Sequence, residues 1–269
     1  MRLIYALCAF ISVLSWFLLN LPVSFIWLIP VFFLGFLLVF HAVFWIYLLV
    51  ITVPVNMNKP QEKYSKFYYF HLNVGYRYLC RMARCRIHVS GLEKVPVDRR
   101  FLLVSNHRSR FDNMFQAYIL GSNHIAYISK PENFKIPLAR KLMKKSGYLA
   151  IDRTNPKNAV GTIVKAIDYI QSGEISVGIF PEGTRSKDGK MGEMHAGSFK
   201  IATKAQCPIV VVTLRGTENI HKNAPWIPTD VYMDILDVIE PGDRRTTEIC
   251  DQCSQMMNSF LLENDRYAS

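Results

Sequence analysis

Between Leu3 and Asn58 the chain contains no Asp, Glu, Lys or Arg. Charged side chains populate water-facing surfaces, so a stretch this long without them is excluded as an ordinary solvated domain. A helix needs roughly 20 apolar residues to cross a bilayer. Residues 3 to 55 exceed twice that, interrupted by NLPVS at 20 to 24 and by Pro30. Two helices are expected, about 3 to 20 and about 25 or 31 to 53. A signal peptide is a poor fit, because its apolar core is far shorter and no small-residue cleavage site follows.

Other absences narrow the chemistry. The six cysteines do not have the spacing of a disulfide framework. Cys250 and Cys253 form one CxxC, but no second pair and no neighbouring His pair completes a zinc site. Positions i and i+3 share a helix face, so two packed thiols are expected, and no metal. There is no GxSxG, and hence no sign of a hydrolase nucleophile elbow, and no HExxH. GTRSKDGKM misses the phosphate-loop pattern. Five residues rather than four separate Gly183 from Gly189, and Met191 stands where magnesium needs Ser or Thr. No nucleic-acid-binding motif occurs, and nucleic acid is not an expected partner.

What is present is positive charge, confined to the rest of the chain. The formal net charge is +11, of which Arg2 supplies one unit. Next to a membrane segment, such a balance points to anionic lipid or a phosphorylated substrate. Whether the N-terminal helices cross the bilayer or dip into it as a hairpin, Arg2 and the cations after Lys59 end on one side. The positive-inside rule makes that side cytoplasmic. His41, inside the apolar run, is read either as functional or as a neutral ring bonded to a helix neighbour.

Three regions are expected: a membrane segment at 1–58, a basic aromatic helix and linker at 59–90, and an α/β domain at 91–269. In the second, seven aromatics fall between Tyr64 and Tyr78, and seven cations between 59 and 86 face one acid, Glu62. The helical spacing of Tyr64, Phe67, Tyr68, His71, Gly75, Tyr78 and Met82 suggests a helix at headgroup level. In the third, FLLVSN (101–106), HIAYIS (124–129), YLAIDR (148–153), SVGIFP (176–181), PIVVVTLRG (208–216) and VYMDILDVIE (231–240) read as strands. Helical stretches lie between most of them. In the best, 157–172, Val160, Ile163, Val164, Ile167 and Ile170 make one stripe. This alternation predicts an α/β fold with a mixed sheet covered by helices, and sites in the loops after strands.

Two such loops carry chemistry. NHRSRFD (106–112) places His107 five residues before Asp112. Across a continuous helix these would point roughly 140° apart. A strand-to-helix turn instead lets Asp112, at the start of a helix, fold back onto the ring. A carboxylate on one ring nitrogen leaves the other free as a base. FPEGTRS (180–186) offers a tight turn at Gly183, donors from Thr184, and an Arg185 suited to bidentate phosphate contacts.

NHRSRFD followed about 70 residues later by FPEGTRS resembles the glycerolipid acyltransferase family, specifically the 1-acylglycerol-3-phosphate acyltransferases. Asn106, His107, Ser109 and Asp112 match its NHxSxxD block. KPENFKIPLARKLMKKSGYLAIDR fits the second block, with Lys130, Pro137, Gly147 and Arg153 in place, and CPIVVVTLRGT fits the fourth. The resemblance spans about residues 59–220. Arg108 and Arg110 make the first block unusually basic, and MGEMHAGSFK stands where relatives often carry cations.

The resemblance implies acyl transfer from acyl-CoA or acyl carrier protein to the sn-2 hydroxyl of lysophosphatidate, yielding phosphatidate, with no cofactor. His107 is the implied base and Asp112 its orienting partner. Glu182, Gly183, Thr184, Arg185 and Arg153 are the implied binders of the acceptor. Lys130 joins them as a further candidate, and backbone amides near Gly183 or Lys130 are candidate oxyanion donors. Two alternatives are a relative acting on another lyso-lipid and a non-catalytic phospholipid-binding protein. An intact His107 and Asp112 argue against the second, since binding alone needs no base.

Overall fold

A computed structural model describes residues 2–59, 64–152, 156–186 and 189–264 of the 269-residue chain. Two compact units result, Met1–Val55 and Asn56–Ser269.

The first unit is a pair of helices packed on each other, α1 (Arg2–Leu18) and α2 (Leu28–Thr52). With 25 residues, α2 is about 37 Å long at 1.5 Å per residue, more than the ~30 Å hydrocarbon core. Among the described residues it is the one helix long and apolar enough to cross a membrane, and α1 is shorter. Pro30 does not break α2, because it sits in the first turn, where the missing N–H has no intrahelical partner anyway. The His41 Nδ1 lies 2.6 Å from the Leu37 carbonyl one turn back, the helix-neighbour bond of the second reading.

The second unit is built on a seven-stranded sheet. Its strands are β1 (Cys85–Ser90), β2 (Leu102–Ser105), β3 (Ile125–Ser129), β4 (Leu149–Ala150), β5 (Ser176–Ile179), β6 (Ile209–Arg215) and β7 (Thr229–Ile239). Their spatial order is β1-β7-β6-β2-β5-β3-β4. All neighbours are parallel except β6 and β7, so the sheet is mixed. The central strands β2, β5 and β6 are buried along their whole length. That is why they read as unbroken apolar runs rather than alternating ones. β4 is shorter than the run YLAIDR suggests, with two residues paired to β3. β1 was not expected, because CRIHVS lies in a basic aromatic region read as helix and linker.

The covering helices are α3 (Lys66–Met82), α4 (Asp112–Ile119), α5 (Ala139–Lys145), α6 (Pro156–Gln171), α7 (Lys200–Ala205), α8 (Ile220–Asn223) and α9 (Thr246–Asn264). The structure buries part of the aromatic set of α3 inside the protein. Tyr69, His71, Leu72, Tyr76 and Tyr78 are buried, and the helix packs on α4 and α5, leaving Phe67 and Phe70 exposed. An amphipathic pattern looks alike whether its apolar face meets lipid or a sheet. The stripe of α6 is also rotated. Val160 and Val164 are exposed, and Ala166, Tyr169 and Ile170 turn inward. Cys250 and Cys253 are two buried thiols on one face of α9.

Candidate active site

Because β2, β3, β4, β5 and β6 are mutually parallel, their C-terminal ends share one edge of the sheet. The NHRSRFD loop leaves β2 there, and FPEGTRS leaves β5, its immediate neighbour. Asn106 ties the first loop down. Its side-chain amide donates to the Leu214 carbonyl at 2.9 Å and its oxygen accepts from the Leu214 N–H at 2.7 Å. It extends the ladder between β2 and β6 by one side chain.

Beyond Asn106 the chain wraps around Asp112. One carboxylate oxygen accepts from His107 Nδ1 at 2.7 Å and from the backbone N–H groups of Arg108 and Ser109 at 2.7 and 2.8 Å. The other accepts from the Thr217 hydroxyl at 2.5 Å. Asp112 is fully buried, and these four bonds match what a carboxylate can accept. It is the first residue of α4 rather than its cap, and its side chain serves the preceding loop. Ser109 contributes a further turn contact, its hydroxyl accepting from the Phe111 N–H at 3.2 Å. The His107–Asp112 bond places the ring proton on Nδ1 and the lone pair on Nε2. The side chain of His107 is 22 % exposed, so the ring reaches solvent.

The third block holds the histidine from its backbone. The His107 N–H donates to Glu182 Oε1 at 2.6 Å, and the His107 carbonyl accepts from the Ser186 N–H at 2.8 Å. The ring of His107 lies on that of Phe180, centroids 4.2 Å apart and planes 16° apart. Phe180 in turn faces Tyr127 at 6.2 Å and 19°. The Tyr127 ring occupies the space over Gly178, its register partner, where any Cβ would sit 2.5 Å from it.

Several of the expected binding residues also have contacts within the protein. Glu182 is buried, and its second oxygen accepts from the Gly192 N–H at 2.6 Å. Both oxygens are therefore engaged with backbone, and burial pushes the carboxyl above its ordinary value while the two amides oppose that rise. Gly183 has φ +72°, and its N–H closes a turn onto the Phe180 carbonyl at 3.0 Å. That donor is consumed and is not available to an oxyanion. Thr184 and Arg185 are exposed. With Lys190, Glu193 and His195 they line a cavity of about 560 Å³ beside Glu182. A second cavity of about 570 Å³ lies across the sheet between β1, β7 and α9 and shares no residue with this edge. Lys130 is exposed at the end of β3, two strand spacings or roughly 10 Å from β2. Arg153 lies outside the described residues. Arg108 is buried and pairs with Glu218 at 2.8 Å, so the unusually basic first block spends one of its two cations inside the fold. Arg110 is exposed. No cluster of three or more metal-ligating side chains occurs among the described residues. Thr217 helps carry the geometry of the site without having been singled out by sequence, whereas Asn106 and Phe180 stood inside the quoted blocks with no role given to them.

Residues 86–215 match the family model described as Acyltransferase. The chain is 38% identical over 133 residues to the chloroplastic 1-acyl-sn-glycerol-3-phosphate acyltransferase BAT2 of Brassica napus, covering 49% of this chain and 38% of that protein. It is 26% identical over 168 residues to the 1-acyl-sn-glycerol-3-phosphate acyltransferase of Escherichia coli, covering 61% and 68%. It thus spans well under half the length of the plant relative. The crystal structure of the LPA acyltransferase PlsC from Thermotoga maritima superposes with a TM-score of 0.66 at 24% identity. That match covers 83% of this chain and 89% of that one and shows the shared fold.

Proposed function

We propose that this chain, which carries a domain of the acyltransferase family over residues 86–215, moves a fatty acyl group from a thioester to the sn-2 hydroxyl of 1-acylglycerol-3-phosphate. The product is phosphatidate, and the donor is acyl-CoA or acyl carrier protein. The observation that carries the reading is the 2.7 Å bond from His107 Nδ1 to a buried carboxylate that is itself held by three other donors. That arrangement makes Nε2 a base in a fixed position. It takes the acceptor's hydroxyl proton as the oxygen attacks the thioester carbon. Asp112 then stabilises the imidazolium. The tetrahedral intermediate collapses by breaking the carbon–sulfur bond, and the leaving thiolate takes the proton from His107. This transfer needs a base and an oxyanion donor, and no cofactor or metal is given a part.

The acceptor's phosphate is assigned to Arg185 and Thr184 at the cavity beside Glu182, with Arg153 in the role the resemblance implies. Glu182 is assigned to bracing the His107 backbone. The Gly183 amide itself is engaged in its turn, and the oxyanion donors are sought among the other backbone amides near Gly183 and near Lys130. α2 anchors the chain in a membrane, with the domain on the cytoplasmic face and facing anionic lipid.

The test is phosphatidate formation by membranes carrying the wild-type chain and the His107→Ala variant, with labelled lysophosphatidate and a long-chain acyl-CoA. A loss of at least ~100-fold is expected, the scale of a general base. An equally active variant would refute the assignment of His107. A wild type inactive with both donors on lysophosphatidate, yet active on another lyso-lipid, would replace the acceptor.

A further inference from the structure

β7 runs antiparallel to β6, so it begins at the edge where β6 ends, the edge that carries His107. The connection between them, residues 216–228, passes Thr217 beside Asp112 and Ile220 in the core, then turns outward. At its tip Trp226 is 81 % exposed and Ile227 is 59 % exposed. Isolated exposed apolar residues are common, but a Trp–Ile pair at the tip of a braced loop is a different matter. The backbone here is firmly tied. The N–H groups of Trp226 and Ile227 both donate to the Asn223 carbonyl, at 3.0 and 2.8 Å, and the Asn223 side chain donates to the Thr229 hydroxyl at 3.1 Å. Arg84 donates to the Trp226 carbonyl at 2.6 Å. The two side chains are therefore held away from the protein by a rigid support.

The surroundings are cationic. β1 is parallel to β7 and starts at the same edge, which brings Arg84, at the turn before it, to the loop, with exposed Arg81 in the last turn of α3 just upstream. Lys222 is exposed on α8. The neighbouring carboxylates are each matched already: Glu218 by Arg108 at 2.8 Å, and Asp230 by His88 at 2.8 Å and Arg86 at 3.8 Å. An indole and a branched alkyl group among unbalanced cations fit the boundary of an anionic bilayer. There Trp sits among the headgroups and Lys or Arg meets lipid phosphate.

We infer that the 221–227 loop is a membrane-docking wedge that seats the His107 edge of the sheet on an anionic lipid surface. It does so through insertion of Trp226 and Ile227 and contacts from Arg81, Arg84 and Lys222. It is a lipid contact additional to the N-terminal helices, and it does not depend on which acceptor the site uses.

The chain has four tryptophans, three of them in the N-terminal helical segment. The full-length protein with Trp16, Trp27 and Trp45 replaced by Phe reports on Trp226 alone. It is reconstituted in vesicles of phosphatidylcholine and phosphatidylglycerol, with and without lipids brominated near the headgroup end of the chain. Blue-shifted emission quenched by the brominated lipid is expected. Arg81→Gln with Lys222→Gln, or vesicles of phosphatidylcholine alone, should lower the docked fraction by about tenfold or more in equilibrium ratio. Emission at the water-exposed position without quenching would overturn the inference. So would blue-shifted emission that brominated lipid does not quench, which would mean the loop is covered by a second copy. If the triple variant does not fold, Trp226→Phe in the native background gives the same reading. It should remove a quenchable component, and an unchanged quenching profile would count against the wedge.

Discussion

Replacing Thr217 by Val tests whether the hold on Asp112, rather than the mere presence of His and Asp, makes the pair work. The hydroxyl of Thr217 is fully buried and donates to the Asp112 oxygen opposite the histidine. Valine keeps nearly the same shape, so no cavity opens, but one of four donors to a buried carboxylate is lost. A hydrogen bond to a charged group is worth about 1.5–3 kcal/mol. For a unit of this size each kcal/mol moves the melting temperature by about 2–4 °C, so a drop of roughly 3–12 °C is expected. If the same loss is felt when the imidazolium forms, kcat falls by about tenfold to a hundredfold, at 1.36 kcal/mol per decade. KM for lysophosphatidate should hardly move, because Thr217 contacts Asp112 and is not among the residues proposed to bind the acceptor. Thr217→Ser keeps the hydroxyl and should retain kcat within a few-fold. The assay is phosphatidate formation by reconstituted protein over a range of lysophosphatidate, with melting curves on the same samples. Wild-type kcat and melting temperature in the valine variant would refute the reasoning, as would a serine variant no better than the valine one.

Two other substitutions separate bracing from binding. Glu182→Gln offers one oxygen where two backbone N–H groups, of His107 and Gly192, need acceptors. It should cost about 1–3 kcal/mol and lower kcat more than it raises KM. Burial raises the Glu182 carboxyl, so its ionisation withdraws stability as pH climbs from about 4.5 through the folded value. The stability gap between wild type and Glu182→Gln should therefore be widest below that range and narrow above it, as melts from pH 4 to 8 would show. Gly178→Ala pushes a methyl group to within 2.5 Å of the buried Tyr127 ring and should cost about 1–3 kcal/mol by overpacking. A loss of kcat beyond the loss of folded protein would show that the shift reaches His107 through Phe180.

The sheet was readable because its central strands are apolar on both faces, and LLVS, SVGI and IVVVTLR have no other use for that pattern. Legibility failed where a face had two credible partners. The aromatics of α3 fit a headgroup layer as well as they fit neighbouring helices, and sequence does not tell which of them pack on α4 and α5. β1 escaped because none of its residues is buried and four of the six are exposed, so its strand pattern is weak. At the site, reading residues 106–111 as a strand-to-helix turn let Asp112 fold back on His107, as it does. It gave no hint of Thr217, which is 105 residues further on and meets Asp112 only because β6 lies beside β2.

The same geometry explains why the two recognisable blocks depend on each other. His107 stands just past the end of β2, where its N–H and carbonyl have left the ladder and would otherwise face water or nothing. Residues 182 and 186 supply an acceptor for the N–H and a donor for the carbonyl. Phe180 supplies a flat support for the ring. The glycine with φ +72° turns the chain back so that all three arrive together. Glu182 in FPEGTRS is thus needed where the histidine's amide must be held, even if no substrate ever touches it. A chain that kept NHxSxxD but lost that carboxylate would keep its base and lose the base's position. On this argument, the effect of Glu182→Gln should largely disappear once His107 is already Ala. In a double variant the two losses of rate should fall well short of multiplying. Full multiplication would mean that Glu182 acts on the substrate directly.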